Sequence, residues 1–268
     1  MICDDIIKKI EEEYPLDMAE EWDNPGLLVG KRQAEVSRVM IALDATEDVI
    51  RQAVDADASL LITHHPIIFG KIGSVSSDTS VGRRLIALIE HNVACYAMHT
   101  NFDVLGMAHL NEKQLGLVDA HVLEVTRDND GIEEGIGRIG EWETPRTLRE
   151  AAEFVRSSLG LQHVRCYGLG EEKEGAPEPE GFYRVAVCGG SGKSVVRLAI
   201  EEGAQILVTG DIDYHTAIDA LAEGLYIIDA GHYGTEYGFI SYMAGKMRKL
   251  FNELEILEAD TVNPFRVI

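Results

Sequence analysis

The feature that most constrains this chain is a repeat. Residues 38–65, RVMIALDATEDVIRQAVDADASLLITHH, align without a gap with residues 184–211, RVAVCGGSGKSVVRLAIEEGAQILVTGD. Identities fall at Arg38/Arg184, Val39/Val185, Val49/Val195, Arg51/Arg197, Ala53/Ala199, Ala58/Ala204, Leu61/Leu207 and Thr63/Thr209. Each copy opens on a short β-branched run and a small or polar turn. A stretch with apolar residues at helical spacing follows, then a second apolar run that ends in polar residues. That is β-α-β, and an unbroken apolar strand implies a sheet covered on both faces. Any two β-α-β units share these periods, but gapless identity at polar Arg and Thr positions points to duplication.

The likeness continues beyond the aligned segments. A helix over 81–90 and a strand over 93–98 follow the first copy; a helix over 216–223 and a strand over 225–230 follow the second. The two strands run into His99 and His232. The expected fold class is α/β, two related lobes from an internal duplication. Between the copies, Asp128-Asn129-Asp130-Gly131 signals a turn, and Thr147 with Glu150 forms a capping box that opens a helix to about Leu159. The stretch 171–180 is acidic, with Pro and Gly, and reads as a solvated loop. With the chain returning near its end, the expected lobes are 1–125 plus 225–268, carrying most of the candidate ligands, and 126–224.

Candidate chemistry gathers where apolar strands end, the usual place in α/β sheets. One end delivers His64-His65-Pro66 and another His99-Thr100-Asn101-Phe102-Asp103. A third delivers Asp211, Asp213 and His215, and a fourth His232 to Glu236. A lone histidine is usually a surface or hydrogen-bonded residue. Two adjacent histidines straight after an apolar strand are hard to explain as packing. With His99, Asp103, His232 and Glu236 at equivalent strand ends, the pattern points to divalent metal. Imidazole suits Zn, Fe, Ni or Co, and carboxylate suits Mg, Mn and Fe. A turn at Pro66 would bring His64 and His65 to one side, and a helix starting after Gly231 would put His232 and Glu236 on one face.

Two glycine-rich readings fail. Gly189-Gly190-Ser191-Gly192-Lys193-Ser194 resembles a phosphate loop, but the position needing the first glycine is Val187. Lys193 also stands where a hydrolase nucleophile elbow needs glycine. An anion-binding turn is the weaker reading left open there.

The net charge of −22 opposes nucleic acid and anionic membrane surfaces as partners, because binding there depends on neutralising phosphates. No stretch approaches the roughly 20 apolar residues of a membrane span, and the acidic start has no signal-peptide pattern. A cytoplasmic location is expected. Of the four cysteines none forms C-x-x-C, and Cys95 and Cys188, inside apolar runs, read as core residues.

Five motifs in order, Glu21–Gly30, Thr63–Pro66, His99–Asp103, Val187–Gly192 and Gly231–Glu236, resemble the hexameric dinuclear-metal-centre family. Its members are also called Nif-three-like proteins or type 2 homologues of GTP cyclohydrolase 1. The resemblance spans nearly the whole chain. It implies two α/β lobes of similar topology and two divalent ions per chain (Zn, Fe, Mn, Ni or Co) on His64, His65, Asp103, His232 and Glu236. It also implies a homohexameric ring with the metal sites facing an internal cavity. The stretch 126–183 is too short for the insertion some members carry there.

Two functions are expected to compete. One is a metal-dependent hydrolase acting on a nucleotide-like or other phosphate-bearing small molecule, with His99 or His215 either moving a proton or hydrogen-bonded to a metal ligand to fix its orientation. The other is a non-catalytic protein for metal storage, delivery or regulation. A ring that encircles nucleic acid fits the family's shape but conflicts with the charge.

Overall fold

A computed structural model of the chain describes residues 1–169 and 181–267. The acidic stretch 171–180, expected to be a solvated loop, lies outside the described residues. The strands among those residues are β1 Gly26–Val29, β2 Arg38–Ala42, β3 Leu60–Thr63, β4 Ala94–Ala97, β5 Val118–Asn129, β6 Ile132–Arg146, β7 Arg165–Tyr167, β8 Phe182–Ser191, β9 Ile206–Gly210, β10 Tyr226–Asp229 and β11 Glu255–Glu258. They form a five-stranded sheet, β1-β4-β3-β2-β11, and a six-stranded sheet, β5-β6-β8-β9-β10-β7. The chain divides into two compact units, Met1–Phe102 with Gly238–Ile268, and Asp103–Tyr237. The breaks expected from sequence, near 125 and 224, differ from these. β5 and β10 are both hydrogen-bonded into the second sheet, which draws their residues into the second unit.

The repeat is exact in register. β2 pairs β3 in parallel with Val39 opposite Leu60 and Ile41 opposite Ile62. β8 pairs β9 in parallel with Val185 opposite Ile206 and Val187 opposite Val208, the same positions 146 residues on. The identity at Arg38 and Arg184 also has a physical reason. The Arg38 guanidinium donates to the carbonyl of Ala56, at the end of helix Glu47–Asp55, at 2.9 Å. Arg184 donates to the carbonyl of Glu202, at the end of helix Val196–Glu201, also at 2.9 Å. Each arginine satisfies a helix-terminal carbonyl that has no partner within its helix.

The turns from helix to strand repeat as well. Amides of Ala58, Val93, Ala204 and Leu225 donate to the carbonyls of Ala53, Leu88, Ala199 and Ala220, at 2.8–2.9 Å. Immediately before these amides stand Asp57, Asn92, Gly203 and Gly224, all with positive φ. This is the Schellman ending, which needs a residue tolerant of the left-handed conformation; Asp, Asn and Gly tolerate it best.

β3, β4 and β9 are buried along their whole length, as expected for strands covered on both faces. In the second unit one apolar cluster around Val185, Val187, Ile206 and Val208 packs one face of the sheet. Another around Ala186, Leu207 and Ile227 packs the opposite face. The Asp128–Gly131 turn joins β5 to β6, with Asp130 and Gly131 both at positive φ, the geometry of a tight hairpin. Thr147 and Glu150 make the expected capping box at the head of helix Leu148–Ser158. No helix among the described residues is long and apolar enough to cross a membrane.

Candidate metal centre

In the first unit the end of β3 supplies two neighbouring histidines. The chain bends at His64 and His65, and their ring centroids lie 4.9 Å apart. His99, just past β4, completes the group, with centroids 5.4 Å from His64 and 5.6 Å from His65. One ring nitrogen from each of the three comes within 4.8 Å of the others, close enough to hold a metal ion.

Each ring is oriented through Nδ1. His64 Nδ1 donates to the Met98 carbonyl at 2.8 Å, and His65 Nδ1 donates to Asp44 Oδ1 at 2.9 Å. His99 Nδ1 donates to Asp23 Oδ1 at 2.8 Å. Carbonyl and carboxylate oxygens have no proton to give, so Nδ1 carries a hydrogen, and Nε2 is the nitrogen through which each ring would hold an ion. An oxygen acceptor on the far nitrogen is the usual companion of a metal-ligating histidine. Burial opposes charge on Asp23, but hydrogen bonds from His99 and Thr100 outweigh it and hold the carboxyl down at about 2.

In the second unit the parts are His232, Glu236 and Asp103. The helix His232–Glu236 starts straight after Gly231, so the expected four-residue spacing puts both side chains on one face. His232 Nε2 and Glu236 Oε2 are 3.2 Å apart. That spacing fits two donors each ~2.1 Å from one ion. His232 Nδ1 donates to Asp211 Oδ2 at 3.0 Å, the same arrangement as in the first unit. Asp103 opens a single π-helical turn, Asp103–Met107, a form often found at functional sites. Burial, and then the charges of Asp103, Glu124 and Glu236, push the Cys188 thiol up. Asp103 and Glu236 thus act on the same buried atom.

The glycine-rich turn after β8 forms part of this geometry. A Cβ built at Gly190 would overlap Glu236 Oε1 and lie 3.3 Å from His232 Nε2. The Gly190 amide donates to Thr235 Oγ1 at 2.9 Å, and its φ of +66° suits glycine. The turn's role here is close approach to a carboxylate and an imidazole. Beneath it, buried Asp229 accepts from the amides of Gly231 at 2.9 Å and Ile212 at 3.3 Å, and pairs with Arg165 at 2.9 Å. It ties together the two loops that carry His232 and Asp211.

The imidazole and carboxylate donors in both units suit divalent transition metals. His215 is exposed on the first turn of helix Tyr214–Ala222 and packs edge-on against Tyr214. It joins no group of potential ligands among the described residues. Asp23 and Asp44 were not singled out from sequence. The available signal was position, since Asp44 follows β2 at a strand end like the others. Asp23 is far from His99 in the chain and announces itself only through the fold.

The fold defines a mixed α/β protein with two sheets, with histidine and carboxylate groups at strand ends that could hold a metal ion. The chain matches the family Duf34/NIF3 (NGG1p interacting factor 3) over residues 1–264, and it belongs to that family. It is 33% identical to the GTP cyclohydrolase 1 type 2 homolog of Clostridium acetobutylicum, over 98% of this chain and 97% of that one. It is 34% identical to the protein of the same name from Streptococcus pneumoniae, covering both chains fully. A Bacillus cereus protein related to NIF3 superposes with a TM-score of 0.90 at 25% identity, over 100% of this chain and 99% of the other.

Proposed function

We propose that His64, His65, Asp103, His232 and Glu236 together hold two divalent metal ions, and that the loaded centre hydrolyses a nucleotide-like or other phosphate-bearing small molecule. The observation that carries the reading is the repeated anchoring of Nδ1 on an oxygen, in His64, His65 and His232. It fixes each ring through Nδ1 and leaves Nε2 as the nitrogen that would meet an ion, the preparation metal ligation requires. Family membership supports the ligand set, and the relatives' printed name supports a cyclohydrolase-like, nucleotide-directed reaction.

A pair of divalent ions supplies Lewis-acid polarisation of an electrophile and a lowered pKa for coordinated water. The chain's own residues do the rest. Asp44 and Asp211 orient the ligating rings, and Gly190 keeps the approach to Glu236 clear. His99, oriented by Asp23 and next to His64 and His65, is the proton carrier. His215, exposed and outside the ligand groups, is the lesser candidate for that role. The acidic surface repels anionic substrates, so their attraction rests on the metal-loaded site itself. The reading includes a homohexameric ring, as the family resemblance implies, and a cytoplasmic location.

The test is metal analysis of the purified protein, joined to a panel of phosphate esters, nucleotides and cyclic amides. Metal-dependent turnover of one class, abolished by chelation and restored by one divalent ion, is the expected result. Bound metal without turnover of any class would favour metal storage or delivery. Metal-free protein with no affinity for divalent ions would overturn the reading.

A further inference from the structure

Two large aromatic side chains stand exposed beside the histidines of the first unit. Trp22 and Phe69 are each 60% exposed, an unusual position for rings of this size. Their centroids are 5.9 Å apart at a 40° tilt. His99 stands edge-on to both, 6.0 Å from Trp22 at 78° and 5.7 Å from Phe69 at 73°. The arrangement is held from below. Asn24 Nδ2 donates to the Ile68 carbonyl at 2.8 Å and joins the two loops that carry the rings. Asp23, next to Trp22, grips both His99 and the Thr100 amide. The rings are therefore fixed at their backbones while their faces remain open to solvent.

From this geometry we infer that Trp22 and Phe69 form a stacking platform for a planar aromatic heterocycle, part of a molecule whose reacting group lies at the neighbouring histidines. The rings are too close and too tilted to sandwich a third ring, so the ligand stacks on an outer face. Flat π-systems gain most from such a surface, and aliphatic groups gain less. The exposed Glu21 carboxylate, next to Trp22, favours a heterocycle that brings N–H donors over one that is itself anionic. The His99 centroid is 5.6 Å from that of His65, so only a short spacer separates the stacked ring from the histidine cluster. This narrows the hydrolase reading to substrates with an aromatic nitrogen ring close to the bond attacked, and it rests on that reading.

The chain has two tryptophans, and the second, Trp142, is 2% exposed in the core. Quenching of tryptophan fluorescence by an added ring therefore reports on Trp22. The full-length protein, metal-loaded and chelated, would be titrated with adenosine, guanosine and uridine, and with ribose 5-phosphate and inorganic phosphate as ringless probes. Saturable quenching by at least one nucleoside and none by the ringless probes is expected. Binding of that nucleoside, followed by calorimetry, should weaken about 5- to 100-fold in Trp22→Ala and Phe69→Ala and recover in Trp22→Phe, with metal content unchanged in all three. Nucleoside binding by a protein that holds no metal would leave the platform standing while the hydrolase reading fell. Equal binding of ringless probes, or no saturable quenching by any nucleoside in metal-loaded protein, would overturn the platform. So would a Trp22→Ala variant that loses subunits from its assembly but keeps nucleoside affinity, since the aromatic face would then be covered by a second copy of the chain.

Discussion

Asp44 Oδ1 accepts the Nδ1 hydrogen of His65 at 2.9 Å, across the ends of β2 and β3. Repeat alignment places Gly190 and Asp211 at the corresponding positions in the second unit. There the roles are redistributed. Gly190 makes room for Glu236, and Asp211 turns to hold His232 Nδ1 at 3.0 Å. Asp211 does so at a φ of 56°, a left-handed conformation that Asp tolerates better than most side chains.

These two carboxylates should matter to metal without ligating it. Asp44→Ala and Asp211→Ala are each expected to weaken metal affinity ~10–100-fold while leaving the fold intact. Competition with a chelator of known affinity measures the change. Unaltered affinity in both variants would show that the Nδ1 contacts play no part in ligation.

Gly190→Ala tests the close approach to Glu236. The new methyl would meet Glu236 Oε1, and the backbone would hold an alanine at positive φ. Metal occupancy should fall, with a stability cost of about 1–2 kcal/mol. Full occupancy at wild-type stability would mean that the helix carrying Glu236 shifts freely.

Asp229 is a structural anchor. Asp229→Ala would leave two buried backbone amides without their acceptor and should cost about 1–3 kcal/mol in thermal or urea unfolding. Asp229→Asn keeps an acceptor and should cost less. A wild-type midpoint in Asp229→Ala would show that the two loops are held by other contacts.

The cysteines should be inert in the folded protein. Cys3, Cys95 and Cys188 are buried and free, and Cys166 is partly buried. Burial pushes the Cys166 thiol up to about 11, with Arg149 pulling slightly the other way. At pH 8 its thiolate fraction is only about one in a thousand, so alkylation by iodoacetamide should be slow until denaturant is added. Rapid labelling of one thiol in native protein would show an opening that the fold does not explain.

Much of the scaffold was legible because duplication wrote it twice. The strands around Val39 and Val185 and the intervening helices follow from pattern alone, whereas the left-handed turns at Asp57 and Gly203 emerge only in the fold. β5 and β6 were not legible beyond their turn, because one face is rich in Glu and Arg and imitates a solvated segment. The third strands show a subtler limit. His99 and His232 looked like counterparts, but pairing places Ala97 and Asp229 at equivalent positions, so His232 corresponds to Thr100. A one-residue slip is invisible in composition and changes which face a side chain takes. The histidines themselves were legible as an unusual density of imidazole at strand ends. Two of their orienting partners, Asp23 and Asp44, were not, because hydrogen bonds between loops leave no local sequence period; Asp211 stood out at its strand end, but its role on His232 did not.

The central claim is that His64, His65, Asp103, His232 and Glu236 are the ligands of two divalent ions. Elemental analysis of the wild type and the five single alanine variants, each loaded with the same divalent ion and passed through a desalting column, tests it most directly. The account predicts about two ions per chain in the wild type and a clear loss in every variant, with circular dichroism unchanged. Undiminished, near-stoichiometric metal in all five variants would contradict it.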